Sequence, residues 1–325
     1  MGTTRETRGP APDGGLRTIL VASDFSIDGD QAIHRATQLA LVPDATIVLV
    51  HVLPGPFDLT VESLIRSEAE RALDRAAAQM GDRLVTRGRP DVRVRVRLAR
   101  GNPAVEIARV AESNDAELIV VGRRGHTPLL ELLIGSTASQ LLRHARFPVL
   151  VATRAPRAGY HDVVIAFDLS PTAVAAGRLA KRLLPAGVTI RVVHAFEDQW
   201  RGVPPAFLVN ATPEQLGASI EPLERRAERI QEALEQVWPR DDFRIVVEEA
   251  DPRKLVLEVA REAQADLIVL GSRGLSGIAR MTLGSVAESV LHHTAKDVLI
   301  VPATGVAAGA EPEPAAALAG GERGP

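Results

Sequence analysis

The sequence predicts an α/β fold: two tandem, doubly wound domains, each built on a five-stranded, mostly parallel sheet. Three observations predict it. The chain has 325 residues, enough for two domains at about 150 residues each. Two distant segments repeat one another, ELIVVGRRGHTPLLELLIGSTASQLLRHARFPVLVAT at 117–153 and DLIVLGSRGLSGIARMTLGSVAESVLHHTAKDVLIVPA at 266–303. The runs TILVASDFS (18–26) and DVVIAFDLS (162–170) match as well. The third observation is unbroken apolar runs alternating with amphipathic stretches, the pattern of a parallel sheet covered on both faces.

Each element has its own signal. In the first half, Thr18–Ala22 is a short β-rich run, and Gly29–Leu41 places Ala32, Ala36, Leu39 and Ala40 at helical spacing. Thr46–Leu53 is a buried strand, and Ser63–Arg87 a charged amphipathic helix. Val92–Leu98 alternates Val with Arg, the period of a strand with one wet face. Pro103–Asn114 is a helix, Leu118–Val121 a strand, Ser136–His144 a helix and Pro148–Ala152 a last strand. The second half repeats the order: Val163–Phe167, Ala173–Leu184, Thr189–Ala195, Ile220–Val237, Arg244–Glu248, Lys254–Ala263, Leu267–Leu270, Ser285–His293 and Val298–Val301.

The domains are therefore expected at 16–153 and 162–303, joined by a linker at 154–161. Residues 1–15 and the Ala/Gly/Pro/Glu stretch 304–325 are expected to be disordered tails. Phe196–Pro213 is a long insertion opposite the shorter Pro54–Leu59, and both are expected as loops near a ligand edge, the longer one as a lid. With no Cys there is no disulfide, thiolate zinc site or cysteine nucleophile. A net charge of −3 gives no broad basic footprint, so no nucleic-acid partner is expected. No apolar run reaches the length of a membrane span, and residues 1–15 lack an apolar signal core. A cytoplasmic protein with no membrane partner is expected.

The chemistry sits after the fourth strand of each half. The pattern is Gly, two residues, Gly, nine residues, Gly-Ser: Gly122, Gly125, Gly135 and Ser136, then Gly271, Gly274, Gly284 and Ser285. Glycine lets the backbone approach a ligand closely. A Gly-Ser that opens a helix offers orphan N–H groups, a hydroxyl and the positive end of the helix dipole, which together suit a phosphate. Arg123, Arg124 and Arg273 beside the first glycines would add charge. Asp24 and Asp168 end the first strands, placed for ribose hydroxyls or a metal. His51-Val52 and His194-Ala195 end the second strands, where backbone meets an adenine edge.

These residues resemble the universal stress protein family. G-x2-G-x9-G-[ST] is that family's ATP-binding signature and occurs twice. The leading strand-Asp, the strand ending His-Val or His-Ala, and the closing strands FPVLV and DVLIV match too. The resemblance covers about residues 16–303. It implies Rossmann-like, adenine nucleotide alpha hydrolase-like domains that bind ATP, with Mg²⁺ carried mainly by the phosphates and no metal site of the protein's own. It places Asp24, flanked by Ala22 and Ser23, and Asp168, flanked by Ala166 and Phe167, near ribose. Val52 and Ala195 would meet adenine. The phosphates would be held by Gly122, Gly125, Gly135, Ser136 and Thr137 in the first half, with Val121 and Arg123 also in the nucleotide site. In the second they would be held by Gly271, Gly274, Gly284, Ser285 and Val286, with Leu270 and Ser272 also in the site. The sequence departs from the pattern at Phe25 and Leu169, where bacterial relatives often carry Gly, and at Ala250, which stands opposite Gly101.

Signatures of faster chemistry are absent. There is no G-x-x-x-x-G-K-[ST], G-x-G-x-x-G or G-x-S-x-G. The expected function is a nucleotide-responsive regulator in stress or dormancy adaptation, with no catalytic residues. The alternatives are a nucleotide-free interaction module of the same fold and a slow ATPase. The expected partners are an adenine nucleotide and the chain's own other domain, through pairing of the two closing strands, with a homodimer also open.

Overall fold

The computed structural model describes residues 14–55, 59–125, 134–144, 146–153, 159–196, 223–235, 237–238, 243–273 and 283–302. The first half runs β1 (Leu16–Ala22), α1 (Ile27–Ala36), β2 (Leu41–Leu53), α2 (Leu59–Thr86), β3 (Arg93–Arg100), α3 (Pro103–Ser113), β4 (Leu118–Gly122), α4 (Ser136–His144) and β5 (Val149–Ala152). The second runs β6 (Asp162–Ala166), α5 (Pro171–Leu183), β7 (Thr189–Phe196), α6 (Leu223–Glu235), β8 (Phe243–Glu249), α7 (Pro252–Glu262), β9 (Leu267–Gly271), α8 (Ser285–His293) and β10 (Asp297–Val301).

The strands lie in the order β3-β2-β1-β4-β5-β10-β9-β6-β7-β8. Within each half every pairing is parallel. The expected two five-stranded sheets are one ten-stranded sheet, because β5 and β10 pair antiparallel with Leu150 opposite Leu299. Each half alone would expose the apolar edge VLVA or DVLIV, and pairing covers both. The free edges are β3 and β8, and on β3 Arg93, Arg95 and Arg97 are exposed, as the alternation predicted.

Alternate strand residues enter two cores. Ile19, Ile47, Leu118 and Ile165 pack with α1, α2, α5 and α6 through Ile33, Leu73, Leu183 and Ile230. Leu20, Val48, Ile119 and Val164 pack on the other face with α3, α4, α7 and α8 through Ile107, Leu141, Leu255 and Val290. In each half the strand order reverses between the first and fourth strands, where such sheets open a crevice at their carboxyl ends.

Several boundaries moved. The helix expected to Leu41 ends at Ala36, with Thr37 as its cap, and Leu41 already belongs to β2. β2 begins before Pro43-Asp44, which reads as a breaker in sequence. Asp44 takes φ 58° and the register slips between Leu16 and Thr18, so the strand passes the proline through an irregularity. Gly15, counted with the tail, is tied to the second half by its N–H to the Arg182 carbonyl at 2.9 Å. Tyr160, counted with the linker, is buried between the halves. The remaining tail residues 1–13 and 304–325, the lid reading of 197–213, and linker residues 154–158 lie outside the described residues.

Candidate functional site

At the end of β1 the chain turns through Ser23-Asp24-Phe25-Ser26 into α1. Ser26 caps the helix, its hydroxyl accepting the Gly29 N–H. Asp24 Oδ1 accepts the Ser26 N–H at 3.0 Å and the Ser26 hydroxyl. The second half repeats this: Asp168 Oδ1 accepts the Ser170 N–H at 3.0 Å, and Ser170 caps α5. One oxygen of each aspartate thus holds the turn that leads into the following helix. Phe25 and Leu169 sit at φ 61° and 65°. The two departures from Gly keep the left-handed conformation that glycine takes without strain. Phe25 is braced there by stacking on His51, ring centroids 4.6 Å apart.

His51 Nδ1 lies 2.8 Å from the Ser23 carbonyl, and His194 Nδ1 2.8 Å from that of Phe167. A carbonyl only accepts, so Nδ1 carries the proton in both. Each ring fastens the end of one strand to its neighbour and so fixes the backbone of Val52 or Ala195 one residue on.

The glycine loops close alike. The Gly135 N–H donates to the Arg123 carbonyl at 2.8 Å and the Gly284 N–H to the Ser272 carbonyl at 2.8 Å. Gly284 caps α8 with no side-chain hydrogen bond, leaving the first N–H groups of Ser285 and Val286 without a side-chain cap. A Cβ on Gly122 would stand 2.4 Å from the Asp28 carbonyl oxygen, and one on Gly125 2.6 Å from Asp24 Oδ2. These two glycines let the β4 loop pass against the β1 turn.

A cavity of about 390 Å³ opens at the carboxyl ends of β1, β2 and β4. It brings together Ala22, Ser23, Asp24, Val52, Val121, Gly122, Gly125, Gly135, Ser136 and Thr137. Arg124 lines it too, and its N–H donates to Asp28 Oδ2 at 3.0 Å. Val50, Pro54, Ile107 and Ala138 form apolar wall, and Gly29 sits where a Cβ would meet Ser23 Oγ at 2.7 Å. Sequence reasoning set Pro54 in a loop near the ligand edge but did not single out Val50, Ile107, Ala138 or Gly29. The one local signal was a glycine in the first turn of a helix; Ile107 enters from α3 by tertiary packing. The cleft thus has an apolar side and a polar side, where the Asp24 carboxylate, Arg124, hydroxyls and a helix start converge.

Arg123 does not line it. Its side chain is 5% exposed and turns across the seam, donating to the carbonyls of Thr294, of Leu291 at 2.9 Å and of His292 at 3.4 Å. Burial, then the Arg124 charge, lower its pKa, and Asp28 opposes them. The expected phosphate ligand is instead a cap on the last turn of α8, because orphan carbonyls and a negative dipole end lie within reach. Phe167 is likewise a core residue, 2% exposed.

In the second half, Ala166 ends β6, Ala195 lies near the end of β7, and Leu270 and Gly271 end β9. Ser272 follows, and Ser285 and Val286 open α8. Gly271 is needed by packing, since a Cβ would meet the Thr172 side chain at 2.9 Å. Gly274 lies outside the described residues. Among the described residues no group of three or more His, Asp or Glu is placed to hold a metal, and no helix is long and apolar enough to cross a membrane.

The profile of the universal stress protein family matches residues 15–153 and 159–302. A universal stress protein of Mycolicibacterium smegmatis (strain ATCC 700084 / mc(2)155) is 30% identical over 295 residues, 87% of this chain and 96% of the relative. One from Mycobacterium tuberculosis (strain ATCC 25618 / H37Rv) is 28% identical over 299 residues, again 87% and 96%. The crystal structure of a universal stress protein from Archaeoglobus fulgidus DSM 4304 superposes with a TM-score of 0.60 at 20% identity, over 88% of this chain and 98% of that one. The chain belongs to the universal stress protein family, in its tandem two-domain form.

Proposed function

We propose that the first-domain cleft binds an adenine nucleotide, ATP with Mg²⁺, and that occupancy sets a conformational state read out in stress or dormancy adaptation in the cytoplasm. The domains are taken as 16–153 and 162–303, with 154–161 as the junction. The observation that carries the reading is the convergence at one switch point of the Asp24 carboxylate, the Gly122–Gly125 loop and the Ser136-Thr137 helix start, opposite an apolar wall. Base, ribose and phosphates each have a chemically matched side. Asp24 faces the ribose hydroxyls. The Val52 backbone reads the adenine edge, and the Gly135-Ser136 amides with Arg124 take the phosphates. Mg²⁺ would arrive on the triphosphate. A ligand shifts an equilibrium only by its unequal affinity for two states, so nucleotide acts by stabilising the state that binds it better. Hydrolysis is not part of the reading.

Thermal melts with and without ATP–Mg²⁺ test it. At one hundred times the dissociation constant, linkage adds about 2.7 kcal/mol, a shift of several degrees. Asp24→Ala is expected to remove the first-site share of the shift, and Asp168→Ala the second-site share if that site binds. No shift with ATP, ADP or AMP would leave the nucleotide-free module as the surviving reading. Phosphate release that tracks enzyme concentration and vanishes in Asp24→Ala would turn it into the slow ATPase.

A further inference from the structure

Arg123 belongs to two structures at once. Its backbone is part of the first-domain phosphate loop: the N–H donates to the Ala152 carbonyl at 3.1 Å, and the carbonyl accepts from Gly135, the residue just before α4, at 2.8 Å. Its guanidinium belongs to the second domain, bound to three carbonyls at the end of α8. The matching residue of the second domain is Ser272. Ser272 keeps the backbone half of the arrangement, N–H to Val301 at 2.8 Å and carbonyl from Gly284 at 2.8 Å. A serine hydroxyl is too short to cross the seam. The first loop therefore leans on the second domain through a side chain for which the second loop has no counterpart at that position.

Resting on the nucleotide reading above, we propose that Arg123 is a positioning residue for the phosphates of the first site, anchored on the other domain. Phosphate affinity in the first cleft then depends on how α8 is docked. A charged group buried on carbonyls is costly to leave unbonded, so the anchor has one favoured geometry. That geometry fixes the carbonyl that holds Gly135 and with it the amides at the start of α4. Adenosine, which has no phosphate, makes no use of that part of the loop. By reciprocity, phosphate bound in the first cleft steadies the last turn of α8.

The test separates the parts of the ligand. ATP–Mg²⁺ and adenosine are titrated calorimetrically into the wild type, Arg123→Met and Arg123→Lys. The expected result is an ATP affinity about tenfold weaker in Arg123→Met, with adenosine affinity unchanged and Arg123→Lys between. Equal losses for both ligands, or no loss for either, would make Arg123 a seam fastener only and overturn the proposal. If Arg123→Met does not fold, hydrogen exchange on the intact chain decides. ATP is expected to slow exchange at 290–294 in the wild type and not in Asp24→Ala. Protection that persists in Asp24→Ala comes from the second site and overturns it. A wild type that binds neither ATP nor adenosine removes the functional reading, and this inference with it.

Discussion

The two domains are alike where they turn and unlike where they meet. Both end the first strand in an aspartate that holds a serine cap. Both follow it with a non-glycine at positive φ, and both pin the second strand with a histidine. At the seam the matching residues differ in kind. Arg35 on α1 corresponds to Leu179 on α5, and Asp297 on β10 to Pro148 before β5. Asp297 is 2% exposed and accepts from Arg35 Nε at 2.6 Å, Tyr160 Oη at 2.9 Å and the Thr153 N–H at 2.9 Å. Two copies of the first domain paired through the same strand would set Arg35 against proline. Two copies of the second would bury Asp297 against leucine. Only the unlike pairing matches acid with base. The lesson is that the duplicated domains kept the turn geometry and diverged at the contact, which makes the pairing directional.

Breaking that contact should give the largest effect. Asp297→Ala leaves the Arg35 charge buried without its carboxylate and is expected to cost about 3–5 kcal/mol in urea unfolding. Arg35→Leu/Asp297→Leu removes both charges and is expected to be less destabilised than Asp297→Ala alone. Additive losses would mean that the pair does not act as a unit, and the directional account would fall.

A second comparison sets Gly122→Ala against Gly271→Ala. In the first, the new methyl meets a backbone carbonyl of Asp28 at 2.4 Å, which moves only with α1. In the second it meets the Thr172 side chain at 2.9 Å. Overpacking of this kind costs about 1–3 kcal/mol, and the first substitution is expected nearer the upper end. Equal melting temperatures for the two variants would show that the turns yield equally.

What was legible in the sequence was local. Apolar runs and glycine spacing announced the strands and loops because a buried strand and a close backbone approach each restrict the residues that occupy them. The fusion into ten strands was foreshadowed by two apolar closing strands that no other element would cover. Arg123 was misplaced because its partners, the α8 carbonyls, are more than one domain away in sequence and carry no side-chain signature. Asp297 was overlooked for the same reason: its partners, Arg35, Thr153 and Tyr160, all come from the first domain or the junction. Val50 and Ile107 lay in ordinary apolar stretches, and nothing in a strand or helix period says which apolar residue ends up facing a crevice.

Tyr160→Phe sharpens the seam with the smallest change. The phenol is buried, its oxygen donates to Asp297 Oδ2, and its ring lies 4.1 Å below the Arg35 guanidinium. Asp297 keeps its other donors in the variant, so the loss is expected to be about 1 kcal/mol at neutral pH. Burial, then the Asp297 charge, raise the Tyr160 pKa well above the usual phenol value, and Arg35 opposes them. A group whose pKa is raised on folding contributes fully below its unfolded value, near 10, and loses that contribution as pH rises through the folded value. The stability gap between wild type and Tyr160→Phe should therefore be widest below about pH 10 and close above it. Because Tyr160 is the chain's single tyrosine, tyrosinate absorbance during an alkaline titration reports on this one ring. Ionisation should coincide with unfolding and not precede it. A phenol that titrates near 10 in the folded protein would show that water reaches the seam, and the dry, directional ion pair would have to be redrawn as a wet one.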